Sequence, residues 1–387
     1  MQPTTRLVGI IASSLFCIPA IFAQTNPPAR DPHEMVTHDS RMLTNTKDRA
    51  AAVALLQAAR QKNDLRDITT PYSLKLSFET EGATLLEGKG TYEELSEGTS
   101  RRWTAHLGDY EITRISNDGH VYSTAPSDPI PLRIQTVRAT IVSPIPGTAE
   151  SPTMREATVK RDGKTMSCVL GSGSIGPNAA PRAWTETEYC VDTATGLLQM
   201  WSEAPGVFAD YDYTGAKDFH GHTLPTNVSI YQEGRLTVHV HLESLEDLAE
   251  LDPNLVTPTQ EMLDAGEAVM LGLPVRYPIR VDPINEPTSN YFQPVIVHVI
   301  LDPNDGTVLD AEPIQNYDPD LTRAAMDLLT HSAFPPTGIQ RDAFINVQFH
   351  LPASVAPTRI VFRSTVHWRI LDREIRIAEP RRPRRGR

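Results

Sequence analysis

The sequence predicts an α+β protein: a large, curved antiparallel β-sheet with a flanking helix, then a small C-terminal domain with a helix on one face of an antiparallel sheet. Three observations carry that expectation. From Tyr72 onward, short runs alternate apolar and polar residues, with Gly, Asp-Gly or Asn-Asp-Gly between them, the pattern of successive hairpins. Helical spacing of apolar residues is confined to a few segments outside those runs. The 32 prolines favour turns and keep helices few.

Taken in order, residues 1–23 read as an export signal: Arg6 precedes an apolar run from Leu7 to Ala23 that ends in "AIFA". The run stands at the lower limit for crossing a bilayer, so an uncleaved inner-membrane anchor is the alternative. Residues 24–70 comprise a Pro-rich leader and an Ala-rich helix over Thr44–Asp64. Residues 71–250 form the β-rich domain; "YSLKLSF" sets Leu74, Leu76 and Phe78 against Ser73, Lys75 and Ser77. Within it, Pro129–Val142 reads as a helix interrupting the hairpins. Residues 251–286 are expected to be a helical spacer, with Thr257 as N-cap, Pro258 at the first helical position, Gln260 closing a capping box, and Gly272 and Pro274 as the stop.

Residues 287–352 form the small domain. Val295, Val297, Val299 and Leu301 share one face of a strand, and Ile296, His298 and Ile300 the other. "DPNDG" supplies a turn, with Gly306 taking the left-handed conformation. "TVLDAEPIQ" returns as a second strand. Asp318 caps a helix that starts at Pro319 and carries an apolar stripe of Leu321, Ala324, Ala325, Leu328 and Leu329. "INVQFHL" then alternates Ile345, Val347, Phe349 and Leu351 against Asn346, Gln348 and His350. Residues 353–387 hold one more plausible strand, "TRIVFRSTVHWRI", and the tail "RRPRRGR" with its five arginines.

The formal net charge of −12 argues against a nucleic-acid partner for the body of the chain. The basic tail reads as a solvated end, or as a contact to anionic envelope polymers. With the signal removed, Cys168 and Cys190 remain, an even pair that in an exported protein points to a disulfide.

No catalytic, cofactor or metal site is expected. "GSGSIG" (Gly171–Gly176) has the letters of a dinucleotide fingerprint, but Pro177 and Pro181 deny it the helix whose N-terminus would hold a phosphate. His220 with His222, and His239 with His241, have the i, i+2 spacing of a strand chelate, yet no further ligands complete a set. "DPNDG" departs from a calcium loop in the place of its glycine. No G-x-S-x-G elbow or paired carboxylate stands out, so the chain is expected not to be an enzyme. Trp103, Tyr110, Tyr122, Trp184 and Trp201 are expected to fill the curved sheet rather than line a ligand site.

The strand "VIVHVILD", turn "PNDG", strand "TVLDAEPIQ", helix "DLTRAAMDLL", "FPP" and strand "INVQFHL" together resemble the C-terminal domain of the TonB energy transducers over Pro294–Leu351. That resemblance implies a periplasmic, non-catalytic protein that binds an outer-membrane TonB-dependent receptor, or another envelope protein, by strand addition. The candidate edge is Ile345, Asn346, Val347, Gln348, Phe349, His350 and Leu351. Three departures count against a literal transfer: a missing Gly-containing first strand before Pro294, no long Pro-Lys spacer, and a further 36 residues after the domain. The middle region is similar in pattern to the half-barrel of the LolA and LolB lipoprotein carriers, which implies a lipid or acyl chain held in its concave face. Strand addition is the leading expectation, acyl-chain carriage the alternative, and a hydrolase or metalloenzyme on the His pairs the third. Sequence fixes neither the ligand nor the oligomeric state.

Overall fold

The computed structural model describes residues 40–377 apart from 83–85, 127, 148–149, 174–183, 233, 269–273, 285, 316–317, 337, 339–340, 354–366 and 373–374. The expected export signal, the leader up to residue 39, the second half of "GSGSIG" (174–176) and the Arg-rich tail lie outside the described residues.

A two-residue strand β1 (Arg41–Met42) precedes helix α1 (Thr46–Asn63), which Asn45 caps by accepting from the Asp48 amide. A first meander follows: β2 (Tyr72–Thr80), β3 (Gly88–Glu97), β4 (Ser100–Leu107), β5 (Tyr110–Asn117) and β6 (His120–Ser123). Helix α2 (Leu132–Val142) leads to a second meander, β7 (Thr153–Arg161), β8 (Lys164–Ser172), β9 (Thr187–Asp192), β10 (Leu198–Ala204) and β11 (Val207–Asp212). The small hairpin of β12 (Asp218–Phe219) and β13 (His222–Thr223) stands apart, and β14 (Asn227–Gln232) and β15 (Arg235–Asp247) complete the region.

These strands form one 13-stranded antiparallel sheet in the order β1-β7-β8-β9-β10-β11-β14-β15-β2-β3-β4-β5-β6. Laid flat, such a sheet would be roughly 58 Å wide. Yet Leu107 and Ile112 near one end share a core with Met154 and Val169 near the other, so the sheet curls. Ala52, Leu56 and Ala59 of α1 and Ile134, Val137 and Ile141 of α2 fill the hollow between them. The curl follows from pattern: strands such as β2 and β4 carry one apolar face, and two helices supply the apolar surface that this face must cover.

After β15 come a 3-10 turn (Pro253–Val256) and helix α3 (Gln260–Ala265). The long spacer helix expected from the sequence is corrected here. Thr259, not Thr257, caps α3 by accepting from the Met262 amide, while Thr257 donates its hydroxyl to the Pro253 carbonyl. Gly266, at φ +86°, ends the helix after six residues.

The small sheet takes β16 (Val275–Pro283), β17 (Thr288–Leu301), β18 (Val308–Gln315), β20 (Arg341–Pro352) and β21 (Trp368–Ile370), in the order β18-β17-β20-β16-β21. Helix α4 (Pro319–Thr330) connects β18 towards the short β19 (Ser332–Ala333), which pairs with β22 (Arg376–Ile377). Asp318 caps α4 through the Asp320 and Leu321 amides. Leu321, Ala325 and Leu329 meet Val295, Val297, Ile345 and Val347 in a second core. Gly306 has φ +73°, and a Cβ there would stand 1.7 Å from the Phe334 carbonyl oxygen, so only glycine closes this turn.

Two expectations about this domain change. β16, which the sequence reading left in the spacer, is a strand of this sheet and pairs in parallel with β20, although it holds no glycine and so does not supply the Gly-containing first strand of the TonB-type pattern. β20, the candidate edge, is the middle strand: β17 flanks it on one side and β16 on the other. From Ile345 to Phe349 its backbone is committed to a neighbour on each side, so this stretch cannot accept an added strand.

Candidate functional site

The pleat divides the small sheet into two faces. Odd-numbered residues of β17 and β20 face α4. On the other face Ile296, Ile314 and Phe344 are fully buried against Ala204 of the large sheet, with Trp184 and Val207 packed beside them. The half-barrel and the small domain thus meet through that face.

The contact is built from charges as much as from apolar groups. α2 begins after Pro131, which offers no side-chain cap, and the Leu132 amide instead donates to the Asp310 carboxylate of β18 at 3.3 Å. One domain therefore caps a helix of the other. Next to it, buried Arg133 pairs with buried Glu312 at 3.3 Å, and Gln232 donates to the same carboxylate. Arg276 of β16 donates to the Trp184 carbonyl at 3.0 Å and to the Thr187 hydroxyl at 3.2 Å, and also to the Glu203 carbonyl. Its guanidinium lies 4.9 Å above the Phe344 ring, a cation–π contact that holds the fork in place.

His298 contacts Asp342 and stacks on Phe344. Burial pulls the imidazole towards neutrality, but Asp342, Glu203 and Glu312 outweigh it, so the group titrates above its usual value. Burial and the Asp342 charge push the Glu203 carboxyl up to about 7, against the pull of His298 and Arg276.

Where the two domains part, the same sheet face opens into a cleft of about 1080 Å³. Arg276, Pro278 and Arg280 of β16, Gln348 of β20 and Leu371 line one wall; Gly173, Trp184 and Thr185 line the other. A smaller pocket of about 160 Å³ shares Gly173, Thr185 and Arg276 with it and reaches Leu56 of α1, Val169 and Tyr189 inside the half-barrel. The cleft therefore adjoins the apolar interior.

Of the residues singled out in the sequence, Gln348 lines the cleft and His350 lies on the same face, stacked on Phe292 and 2.9 Å from Asp282. Asn346 is buried on that face, whereas Ile345, Val347, Phe349 and Leu351 belong to the α4 core. Cys168 and Cys190 are disulfide-bonded across the directly paired strands β8 and β9, buried with Met166, Met200 and Phe208. The bridge staples the hairpin whose far end carries the cleft wall. His220 pairs with Asp247, His239 with Ser229 and His241 with Asn227, so three of the four candidate histidines have protein partners. Trp103 and Trp201 are buried in the half-barrel core as expected, and Trp184 is the aromatic that instead meets the cleft.

Sequence reasoning missed Arg276, Arg280, Glu203 and Leu371. The signal for the first two was present: in "VRYPIRVD" Arg276, Arg280 and Asp282 alternate with Ile279 and Val281, a strand with one charged face.

No family model and no curated protein matches the chain. Among solved structures it is similar to a LolA superfamily protein of Nitrosomonas europaea, at 12% identity over 54% of this chain and 97% of that one, with a TM-score of 0.35. It is also similar to a DUF1329 family protein of Desulfovibrio piger, at 8% identity over 54% and 96%, TM-score 0.37. A third likeness is to the MucA/MucB complex of Pseudomonas aeruginosa, at 13% identity over 66% and 82%, TM-score 0.26. Likenesses of this size do not carry function across, and the site has to be read from its own chemistry.

Proposed function

We propose that the protein is a non-catalytic binding protein of the cell envelope that carries an apolar chain, of a lipid or lipoprotein, admitted through the cleft between its two sheets. One observation supports this reading above the others: the cleft at the domain junction shares its wall with a pocket lined by Leu56, Val169 and Tyr189 in the half-barrel interior. Apolar chains gain about 0.8 kcal/mol for each CH₂ removed from water, so even a short run of buried chain gives useful affinity. The periplasm as its place follows from the export-like first 23 residues; no helix among the described residues is long and apolar enough to cross a membrane.

The test is titration of the full chain with a fluorescent fatty acid, alongside Val169→Trp and Leu56→Trp, which fill the inner pocket. Saturable binding that both variants weaken is expected. A chain that binds no fatty acid, or variants that bind as well as the parent, would sink the proposal.

Strand addition to a receptor or other envelope protein is the second reading. It rests on the TonB-type resemblance together with one geometric fact. β21 pairs with β16 only at Val281–Pro283, so the outer side of β16 over Val275–Ile279 has no strand beside it among the described residues. The other edge strand, β18, is blunted by Pro313 and anchored through Asp310 and Glu312. Chemical shifts of the full chain, followed during addition of receptor-derived peptides, would move in β16 under this reading and nowhere under the first.

A further inference from the structure

The cleft is not uniformly apolar, and its two arginines are in different states. Arg276 is locked by three acceptors and a ring. Arg280, four residues along the same strand and on the same face, is exposed in the cleft wall, and no hydrogen bond or ion pair holds its guanidinium among the described residues. Arg369 of β21 stands opposite Asp282 in register, diagonal to Arg280 and on the same face, and is likewise exposed. Of the nearby carboxylates, Asp282 is paired with His350, and Asp372, which also lines the cleft, is not without a contact of its own. Beside Arg280 lie Leu371, 41% exposed, Pro278, and Trp184 across the cleft. A guanidinium with no partner among the described residues, at the mouth of such a cleft, presents five donors in a fork shaped for a carboxylate or phosphate.

We propose that Arg280 is the head-group site of the cleft, selecting amphipathic anions, with the carboxylate or phosphate on Arg280 and the chain running past Trp184 and Leu371 towards Leu56 and Val169. Arg369 adds a second positive charge at the mouth. This rests on the acyl-chain reading above and gives it a ligand class: single- or double-chain lipids whose head is an anion, rather than neutral ones. Because Arg280 is exposed, the selection weakens as salt is raised, whereas the affinity contributed by the chain does not.

The experiment displaces a bound fluorescent fatty acid from the full chain with dodecyl phosphate, dodecanoate and dodecanol, in the parent, Arg280→Gln and Arg280→Lys. The two anions are expected to compete about tenfold better than the alcohol in the parent. Arg280→Gln should bring them to the alcohol's level without moving the alcohol, and Arg280→Lys should keep most of the preference. Phosphate ahead of carboxylate would indicate a phospholipid head, and the reverse a free fatty acid. If Arg280→Gln weakens all three equally, or none, or if the alcohol competes as well as the anions in the parent, the head-group site is overturned while the carrier reading stands. If the probe does not bind at all, the carrier reading itself falls. Arg323→Gln, on the exposed side of α4 and paired with Asp320, serves as the charge control and should change nothing.

Discussion

The two faces of the small sheet meet very different neighbours. On one, Val295, Val297, Ile345, Val347 and Phe349 pack against α4 without a charge among them. On the other, Ile296, Ile314 and Phe344 share the surface with His298, Asp342, Glu312 and Arg276, and meet the half-barrel. The first face is a folding core that exists once the domain's own chain collapses. The second resembles a contact between partners, more polar than a core and complete only when both domains are present. The cleft opens from the second face, where paired charges and a small apolar cluster together join the two sheets.

If the comparison is right, the largest effect belongs to the apolar face. Phe349→Ala should cost about 3–5 kcal/mol of unfolding free energy, read by denaturant titration, because a large buried side chain leaves a cavity that α4 cannot collapse into. Arg133→Met should cost about 3 kcal/mol by stranding the buried Glu312 carboxylate. Its signature differs: faster amide exchange in β18 and the first turn of α2, with the α4 core still protected. Arg133→Met with Glu312→Met should recover most of the loss, and a double-mutant cycle showing no coupling would contradict the pairing. Replacing both cysteines by alanine should cost roughly 3 kcal/mol in the chain-entropy model and raise exchange along β8 and β9.

A more gradual effect, spread over more than two pH units, sharpens the contrast by pH. Glu203 has its carboxyl raised from 4.5 to about 7 in the fold, so the folded protein holds a proton there that the unfolded chain has released. Its contribution is therefore present below pH 4.5 and is lost as pH rises to about 7. His298, raised by Asp342 and its neighbours, has the same sign: its contribution is complete below its ordinary value of 6.5 and is lost as pH climbs through the folded value. Both place the tightest docking in mildly acidic solution. Amide exchange in β18 and β10 against pH should show it, and Glu203→Gln should flatten the acidic part of that slope; an unchanged profile would refute the role given to this carboxyl.

Much of the fold is legible in residue order because local rules decide it. α1 follows from Ala-rich helical spacing, the Gly306 turn from backbone sterics, and α4 from Asp318-Pro319 ahead of an apolar stripe. Period-two alternation also reports correctly that Ile296 and His298 lie opposite Val297. It does not report which strand lies alongside. "INVQFHL" would read the same at an edge or in the centre, and only the parallel pairing of Val275–Val281 with Ala343–Phe349 makes it central. The same gap hid the site. Trp184 and Arg276 sit far apart in the chain, and each has an unremarkable local reading until a hydrogen bond joins them.

The sequence by itself determined α1, α4, most of the hairpin strands and their faces, the cysteine pair and the turn at Gly306, since sterics, periodicity and local hydrogen bonds depend on neighbours along the chain. Tertiary structure alone decided that α1 and α2 together fill the hollow of the curved sheet, that Asp310 caps α2, and that Arg276 is locked while the Arg280 guanidinium has no partner among the described residues. Those outcomes turn on what each group meets after burial, where an unpaired charge is costly and a paired one is held fast.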